Sequence, residues 1–327
     1  MEIHNIIDQE NEKNKENIDT PTELLNNYLI IEQIGSGSFG EVYLAEHKSG
    51  GYVALKVEDR SKTQRVYNEY KIYKHLHKFN FKVGLPKIYD YLQSPYHNFL
   101  VMQLLGLSLE DLFNKFGRKF TLPTVFLLAD QLIFLLKQLH SAHYIHRDIK
   151  PNNFLIGKDS DNDNDVNQIY MMDFGLSKKY MVNKKHITFK DNRSLIGTAR
   201  YASVNMHMGL EPSRRDDLES IGYMLVYFLK GSLPWQGIKK QKGNEHIKNI
   251  GEIKMCTSLD ELCKNIPDSF KEYISYCRDL KFDQKPDYEY MRNMFKKSAE
   301  KMNVIPKFEW INNPDGLSRK RGSFHSQ

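Results

Sequence analysis

"HRDIKPNNFL", residues 146–155, decides the reading of this chain. It sets Lys150 two residues after Asp148, adds Asn153, and is followed twenty residues later by Asp173 in "MDFG". Upstream, Gly35, Gly37 and Gly40 form G-x-G-x-x-G, a motif that several nucleotide-binding folds share. A dinucleotide fingerprint must open a helix, whereas these glycines run into "EVYLAEH", an alternating strand, so the motif bridges a hairpin. No Gly-Lys-Ser/Thr closes it, which excludes a P-loop. Glycines at such a turn let backbone N–H groups approach anionic oxygens without interference from a Cβ. "VALK" then places Lys56 on the following strand, and a lysine facing inward needs a partner, for which Glu69 in the helical "NEYKIYKHL" is the candidate.

The stretches around these motifs change character along the chain. Residues 1–27 are rich in Asn, Glu and Lys and read as a polar tail, with the fold starting near Tyr28. From Tyr28 to Gly106, short β-type runs broken by glycines give an antiparallel meander, interrupted by one helix at "RVYNEYKIYKHLHKF" and completed by the strand "HNFLVMQLLG". Residues 107–311 are helical: in "LPTVFLLADQLIFLLKQLHSAHY", Val125, Leu128, Leu132, Leu135 and Leu139 recur every three or four positions, and "DDLESIGYMLVYFLKG" repeats the pattern with an acidic first turn and a closing glycine. Residues 312–327 return to polar, turn-forming composition.

Bulk properties agree with a globular enzyme. The 327 residues are 40% hydrophobic and 27% charged, with a formal net charge of +6 that suits acidic partners as well as a solvated basic surface. Three cysteines, Cys256, Cys263 and Cys277, form no CxxC pair and no zinc-finger spacing, so a reduced intracellular setting is expected. No leader-like segment or uncharged apolar run of about 20 residues occurs, so neither secretion nor a membrane span is expected.

Four dispersed motifs in this order resemble a eukaryotic protein kinase over nearly all of residues 28–311. The resemblance implies an α+β, bilobal fold with a small β-rich N-lobe and a larger helical C-lobe, using ATP and Mg²⁺. Phosphoryl transfer depends on alignment and charge neutralisation, and the resemblance assigns Asp173 and Asn153 to the metal, Asp148 to the acceptor hydroxyl and its proton, and Lys150 to the moving phosphoryl group. It pairs Lys56 with Glu69 at the nucleotide phosphates, under the loop Gly35, Ser36, Gly37, Ser38, Phe39 and Gly40. Lys150 and Thr198 resemble the serine/threonine class.

Further stretches narrow the likeness. Where most kinases carry Ala-Pro-Glu this chain has Ser203, Val204 and Asn205, and with "GTARYAS", "SRRDDLES", "GSLPWQG", "KPDYEYMR" and "KFEWI" it resembles the casein kinase 1 family. By that resemblance Ile34, Val42, Ala54 and Leu155 would sandwich adenine, Met102 would stand behind it, Leu105 would offer backbone hydrogen bonds and Asp111 would meet the ribose. Arg200 of "GTAR" would accept a phosphate already present on the substrate, with Arg193, Lys178 and Arg147 adding basic charge; a structural pair with Glu211 or Asp216 is the other reading. The implied partners are acidic or pre-phosphorylated proteins, with no nucleic acid, and the chain is expected to act as a monomer in the cytoplasm or also the nucleus.

Three departures stand out. The hinge carries Gln103 and Leu107 where the family has an acid and a proline. Asp159, Asp161 and Asp163 resemble a calcium loop, but Asn164 and Tyr170 occupy the glycine and glutamate slots, so a solvated hairpin loop is expected. Counting without gaps from Trp235, the family's second phosphate-binding lysine falls on His246, unless Lys239, Lys240 or Lys242 supplies that charge. "RKR" at 319–321 reads as a nuclear signal or a plain basic tail. A kinase-shaped binding module without turnover, or a relative of the vaccinia-related kinases, are the competing readings.

Overall fold

Alternation along the glycine-flanked runs does produce strands. The computed structural model describes residues 24–25, 27–37, 40–61, 64–79, 81, 83–158, 165–238 and 244–312. Ser38, Phe39, Asp159, Asp161, Asp163, Lys239, Lys240, Lys242 and the two terminal stretches lie outside them. The described residues fall in two compact units, one from those up to 61 and from 89–104, the other from 64–88 and 105–312.

The first unit is an antiparallel sheet of β1 (Leu24–Leu25), β2 (Tyr28–Gly37), β3 (Gly40–His47), β4 (Tyr52–Asp59), β5 (Ile88–Gln93) and β6 (His97–Gln103), in the order β1-β2-β3-β4-β6-β5. The fold thus begins before Tyr28, because Leu24 and Leu25 pair with Leu29 and Tyr28 at the sheet edge. Gly37 opposes Gly40 across the hairpin, as the motif requires. Gly40 has φ +127°, and a Cβ there would meet the Val57 carbonyl oxygen at 2.1 Å, so no other residue fits. Residues directly opposed in a sheet share a face. Val42 opposes Lys56, Lys56 opposes Leu100, and Ala54 opposes Met102, so Val42, Lys56, Ala54 and Met102 stand on one face. The other face buries Ala45, Val53, Leu55, Val57, Phe99 and Val101 as the core of the unit. Ile34 falls at a register shift in β2, between the Gln33–Tyr43 and Gly35–Val42 pairs.

The second unit contains α1 (Arg65–Lys78), α2 (Leu109–Lys115), α3 (Leu122–Ser141), the short strands β7 (Tyr144–Ile145), β8 (Phe154–Ile156), β9 (Ile169–Met171) and β10 (Lys178–Lys179), then α4 (Val204–His207), α5 (Arg214–Lys230), α6 (Asn244–Cys256), α7 (Leu259–Leu262), α8 (Asp268–Asp279) and α9 (Tyr288–Lys301). A linear division at residue 106 would put α1 with the sheet, but its contacts group it here: the Tyr73 ring meets Phe174 edge-on at 4.9 Å. α3 starts with a proline in its first turn and buries Val125, Leu128, Leu132, Leu135 and Leu139. It is long and apolar enough to cross a membrane, yet its apolar face is spent on the interior, with Phe126 against Phe270 of α8 and Phe295 of α9. α5 opens with a Ser213–Asp216 capping box, ends at Gly231 in the left-handed region (φ 85°) and is buried along almost its whole length. That burial includes Asp216, Asp217 and Glu219, and buried carboxylates must find donors.

Candidate active site

Asp217 finds its donors in the stretch that opened the reading. Its Oδ2 accepts the backbone N–H of His146 (2.7 Å) and its Oδ1 that of Arg147 (2.9 Å). The His140 ring lies 2.9 Å from Oδ2 and 2.8 Å from the Tyr288 hydroxyl. Burial pulls His140 below its ordinary pKa, so the neutral ring donates Nε2–H to Asp217 and accepts the Tyr288 hydroxyl at Nδ1. Burial alone would raise Asp217, but the hydrogen bond from His140, with the Arg147 N–H, holds it below the usual carboxylate value. Arg147 sits at φ 69°, where a side chain is strained, and its amide is one of those Asp217 fixes.

The strained turn presents Asp148, which is buried at 4% exposure. Lys150 Nζ lies 2.7 Å from its Oδ2, and the Thr198 hydroxyl donates to Oδ1 at 2.8 Å. Thr198 can approach because Gly197 (φ +83°) has no Cβ; one there would meet the Arg147 carbonyl oxygen at 2.4 Å. Asn153 donates Nδ2–H to the Asp148 carbonyl at 2.8 Å, which leaves its amide oxygen for another ligand.

Asp173 is carried to the same place by the β8–β9 pair, in which Phe154 opposes Met171. The Met172 N–H donates to the Asn153 carbonyl at 2.9 Å, and His146 Nε2 lies 3.0 Å from the Met172 carbonyl. Asp173 itself has φ 61°, and the buried Phe174 after it donates its N–H to Glu69 Oε1 at 3.2 Å. Glu69 is thereby tied to this segment in the helical unit, while Lys56 belongs to the sheet unit.

One carboxylate and one amide oxygen are hard donors that suit Mg²⁺, which keeps water and substrate phosphate in most of its shell. Among the described residues no group of three or more His, Cys, Asp or Glu is placed to hold a metal ion. Leu155 lies on β8 and bridges Ser108, Leu105 is buried, and one oxygen of Asp111 closes the N-terminal capping box of α2 with Ser108.

The basic residues divide into two groups. Lys178 Nζ and Arg193 Nε both reach the buried Glu211 carboxylate, at 2.6 and 2.9 Å. Burial would raise Glu211, yet the hydrogen bonds from Lys178 and Arg193 hold it low. Arg200 pairs with neither acid proposed as its alternative partner: Asp216 receives Ser203 Oγ–H (2.6 Å) and the Ser213 N–H (2.7 Å). Instead the Arg200 guanidinium lies over the Tyr201 and Tyr227 rings, 5.8 and 5.9 Å from their centroids. His246 is in the first turn of α6 with its Nδ1 buried and without a hydrogen-bond partner, and among the described residues no hydrogen bond or ion pair joins it to Arg200.

Residues 203–205 lack the glutamate of Ala-Pro-Glu, and α5 does its work: Glu219 accepts the Val204 N–H at 3.2 Å and pairs with Arg278 of α8 at 3.3 Å. Asp217 and Glu219 are the contributors that motif reading misses. "RDDLES" at the head of the apolar run "IGYMLVYFL" was the available signal, since acids on a helix that is otherwise apolar must face the interior along with their neighbours.

A family model for the protein kinase domain matches residues 28–294. That match spans most of both units and includes the glycine hairpin and Asp148, Asn153 and Asp173. The chain belongs to the protein kinase domain family, and it is a kinase.

Proposed function

We propose that this chain is a serine/threonine protein kinase of the casein kinase 1 type, moving the γ-phosphoryl group of ATP to hydroxyls in acidic or phosphate-primed proteins. The observation that carries the reading is the Asp148 carboxylate held between Lys150 and Thr198. Asp148 orients the acceptor hydroxyl and takes its proton, Lys150 offsets charge on the moving phosphoryl oxygens, and Thr198 keeps the carboxylate in one rotamer. Mg²⁺, when bound, neutralises the phosphates, and Asp173 with the Asn153 amide oxygen holds it. In the sheet unit Ile34, Gly35, Ser36, Gly37, Gly40, Val42, Ala54, Lys56 and Met102 meet the nucleotide. In the helical unit Leu105, Asp111, Leu155 and Glu69 are assigned to the same task.

Arg200 reads the substrate anion, since a guanidinium meets phosphate oxygens through paired donors. The Arg200→Ala protein should lose its preference, as the ratio of kcat/KM, for a peptide bearing phosphoserine three residues before the acceptor over its alanine counterpart; the drop should be about tenfold, the effect of one charge-assisted pair. An unchanged ratio would sink this assignment.

Activity without activation-segment phosphorylation follows from Glu211. Its carboxylate already satisfies Lys178 and Arg193, the kind of basic pair that an added phosphate orders in other kinases. Phosphatase-treated protein should therefore turn over at its full rate, and Glu211→Gln should slow it about tenfold as two cations lose their shared countercharge. If phosphatase abolished activity and an upstream kinase restored it, Glu211 would not be the built-in anion.

A further inference from the structure

Lys254 lies near the end of α6 with none of its surface exposed, and a buried ammonium has three donors to satisfy. They meet backbone: the carbonyls of Ala199 (3.0 Å), Arg200 (3.3 Å) and Ala202. The Tyr223 and Trp235 rings, each with its centroid 4.9 Å from Nζ, cover other sides of the ammonium. Among the described residues no ion pair reaches it. Three further charged or titratable groups face it: Glu219 of α5, Arg278 of α8 and His207 of α4, whose Nε2 is 3.2 Å away.

The Ala199 carbonyl belongs to the peptide plane before Arg200, and the Arg200 carbonyl to the plane after it. Lys254 grips both, and Trp235 Nε1–H adds a second donor to the Arg200 carbonyl at 2.7 Å. Fixing the two planes fixes φ and ψ of Arg200 and so the direction in which its side chain leaves the backbone. We propose that Lys254 is the positioning residue for substrate-anion recognition, aiming Arg200 by holding the peptide planes on either side of it. This rests on the reading of Arg200 given above. Burial also pulls Lys254 down to about pKa 7, so the grip weakens as the ammonium loses its proton above that pH.

The test measures kcat and KM for the primed and alanine peptides at pH 6.5 in wild type, Arg200→Ala, Lys254→Met and the double variant, with KM for ATP alongside. Lys254→Met should lower the primed-to-unprimed ratio about tenfold through KM, leave the unprimed kcat and the KM for ATP within about twofold, and change the ratio no further when added to Arg200→Ala. If Arg200→Ala lowers the ratio and Lys254→Met does not, the Lys254 proposal alone is overturned. Equal losses on both peptides would make Lys254 a general structural anchor and overturn it too. A ratio untouched by Arg200→Ala removes the reading beneath it. Should Lys254→Met fail to fold, the wild-type protein carries the test: its ratio should fall severalfold between pH 6.5 and 8.5, and a flat ratio overturns the proposal.

Discussion

Asp148→Asn should reduce kcat on a serine peptide by about 10³ while the melting temperature stays within a few degrees of wild type. The amide can still accept the Thr198 hydroxyl, so the local packing survives, but it cannot take a proton and no longer neutralises Lys150. Asp173→Ala should cause a loss of the same order with a different signature, a raised requirement for Mg²⁺, because its carboxylate serves the cation rather than the proton. Turnover near wild type in either protein, measured in a steady-state peptide assay, would contradict the assigned chemistry.

Asp217→Asn should have the second largest effect, on stability and rate together. The carboxylate gathers two backbone N–H groups and the His140 ring in a buried site, and an amide brings its own N–H into that crowd of donors. A loss of about 3 kcal/mol is expected, which for a unit of this size lowers the melting temperature by about 6–12 °C. Because Asp217 also fixes the strained Arg147 turn, kcat should drop at least about 30-fold at temperatures where the variant is fully folded. Asp216→Asn is the control, since Asp216 holds Ser203 and Ser213 and touches neither His146 nor Arg147. Calorimetry and single-turnover rates on both variants check this, and equal rate losses would remove the distinction.

The pH dependence of stability follows from the same groups. His140 and His207, the latter pushed down to about 4 by burial, bind protons less readily folded than unfolded, so their contribution is present above about pH 6.5 and is lost as pH falls. Asp217, held low, adds a further loss in stronger acid. Asp216 opposes them: burial pushes it up to about 6, so its folded form gains a proton first and favours folding as pH drops from 6 toward 4.

Much of this was legible in the sequence because it lay in local patterns. The hairpin at Gly37 and Gly40, the core helix at 122–141 and the capped helix at 214–230 come from periodicity and turn chemistry that act within a few residues. Asp148, Asn153 and Asp173 were legible as motif members. What was not legible depends on long reach or on buried charge. The grouping of α1 with the helical unit rests on Tyr73 and Glu69 meeting Phe174, about a hundred residues on. Leu24 and Leu25 are too short a run to announce an edge strand. Lys254 sits in "NIGEIKMC", where a lysine ordinarily reads as solvent-facing, and only the fold of residues 199–202 over it shows that its partners are carbonyls. Lys178 and Arg193 read as a substrate site because Glu211, which they share, carries no motif of its own.

The central claim is anion-directed transfer to serine or threonine, and one measurement tests it most directly. Phosphatase-treated protein is given ATP labelled at the γ-phosphate, Mg²⁺ and three peptides alike except at two positions: phosphoserine before a serine acceptor, alanine before a serine acceptor, and phosphoserine before a tyrosine acceptor, with Asp148→Asn in parallel. The account predicts label on serine in the first peptide at a rate about tenfold above the second, none above background on tyrosine, and almost none anywhere with Asp148→Asn. Equal labelling of the first two peptides, transfer to tyrosine, or labelling that Asp148→Asn leaves intact would contradict it.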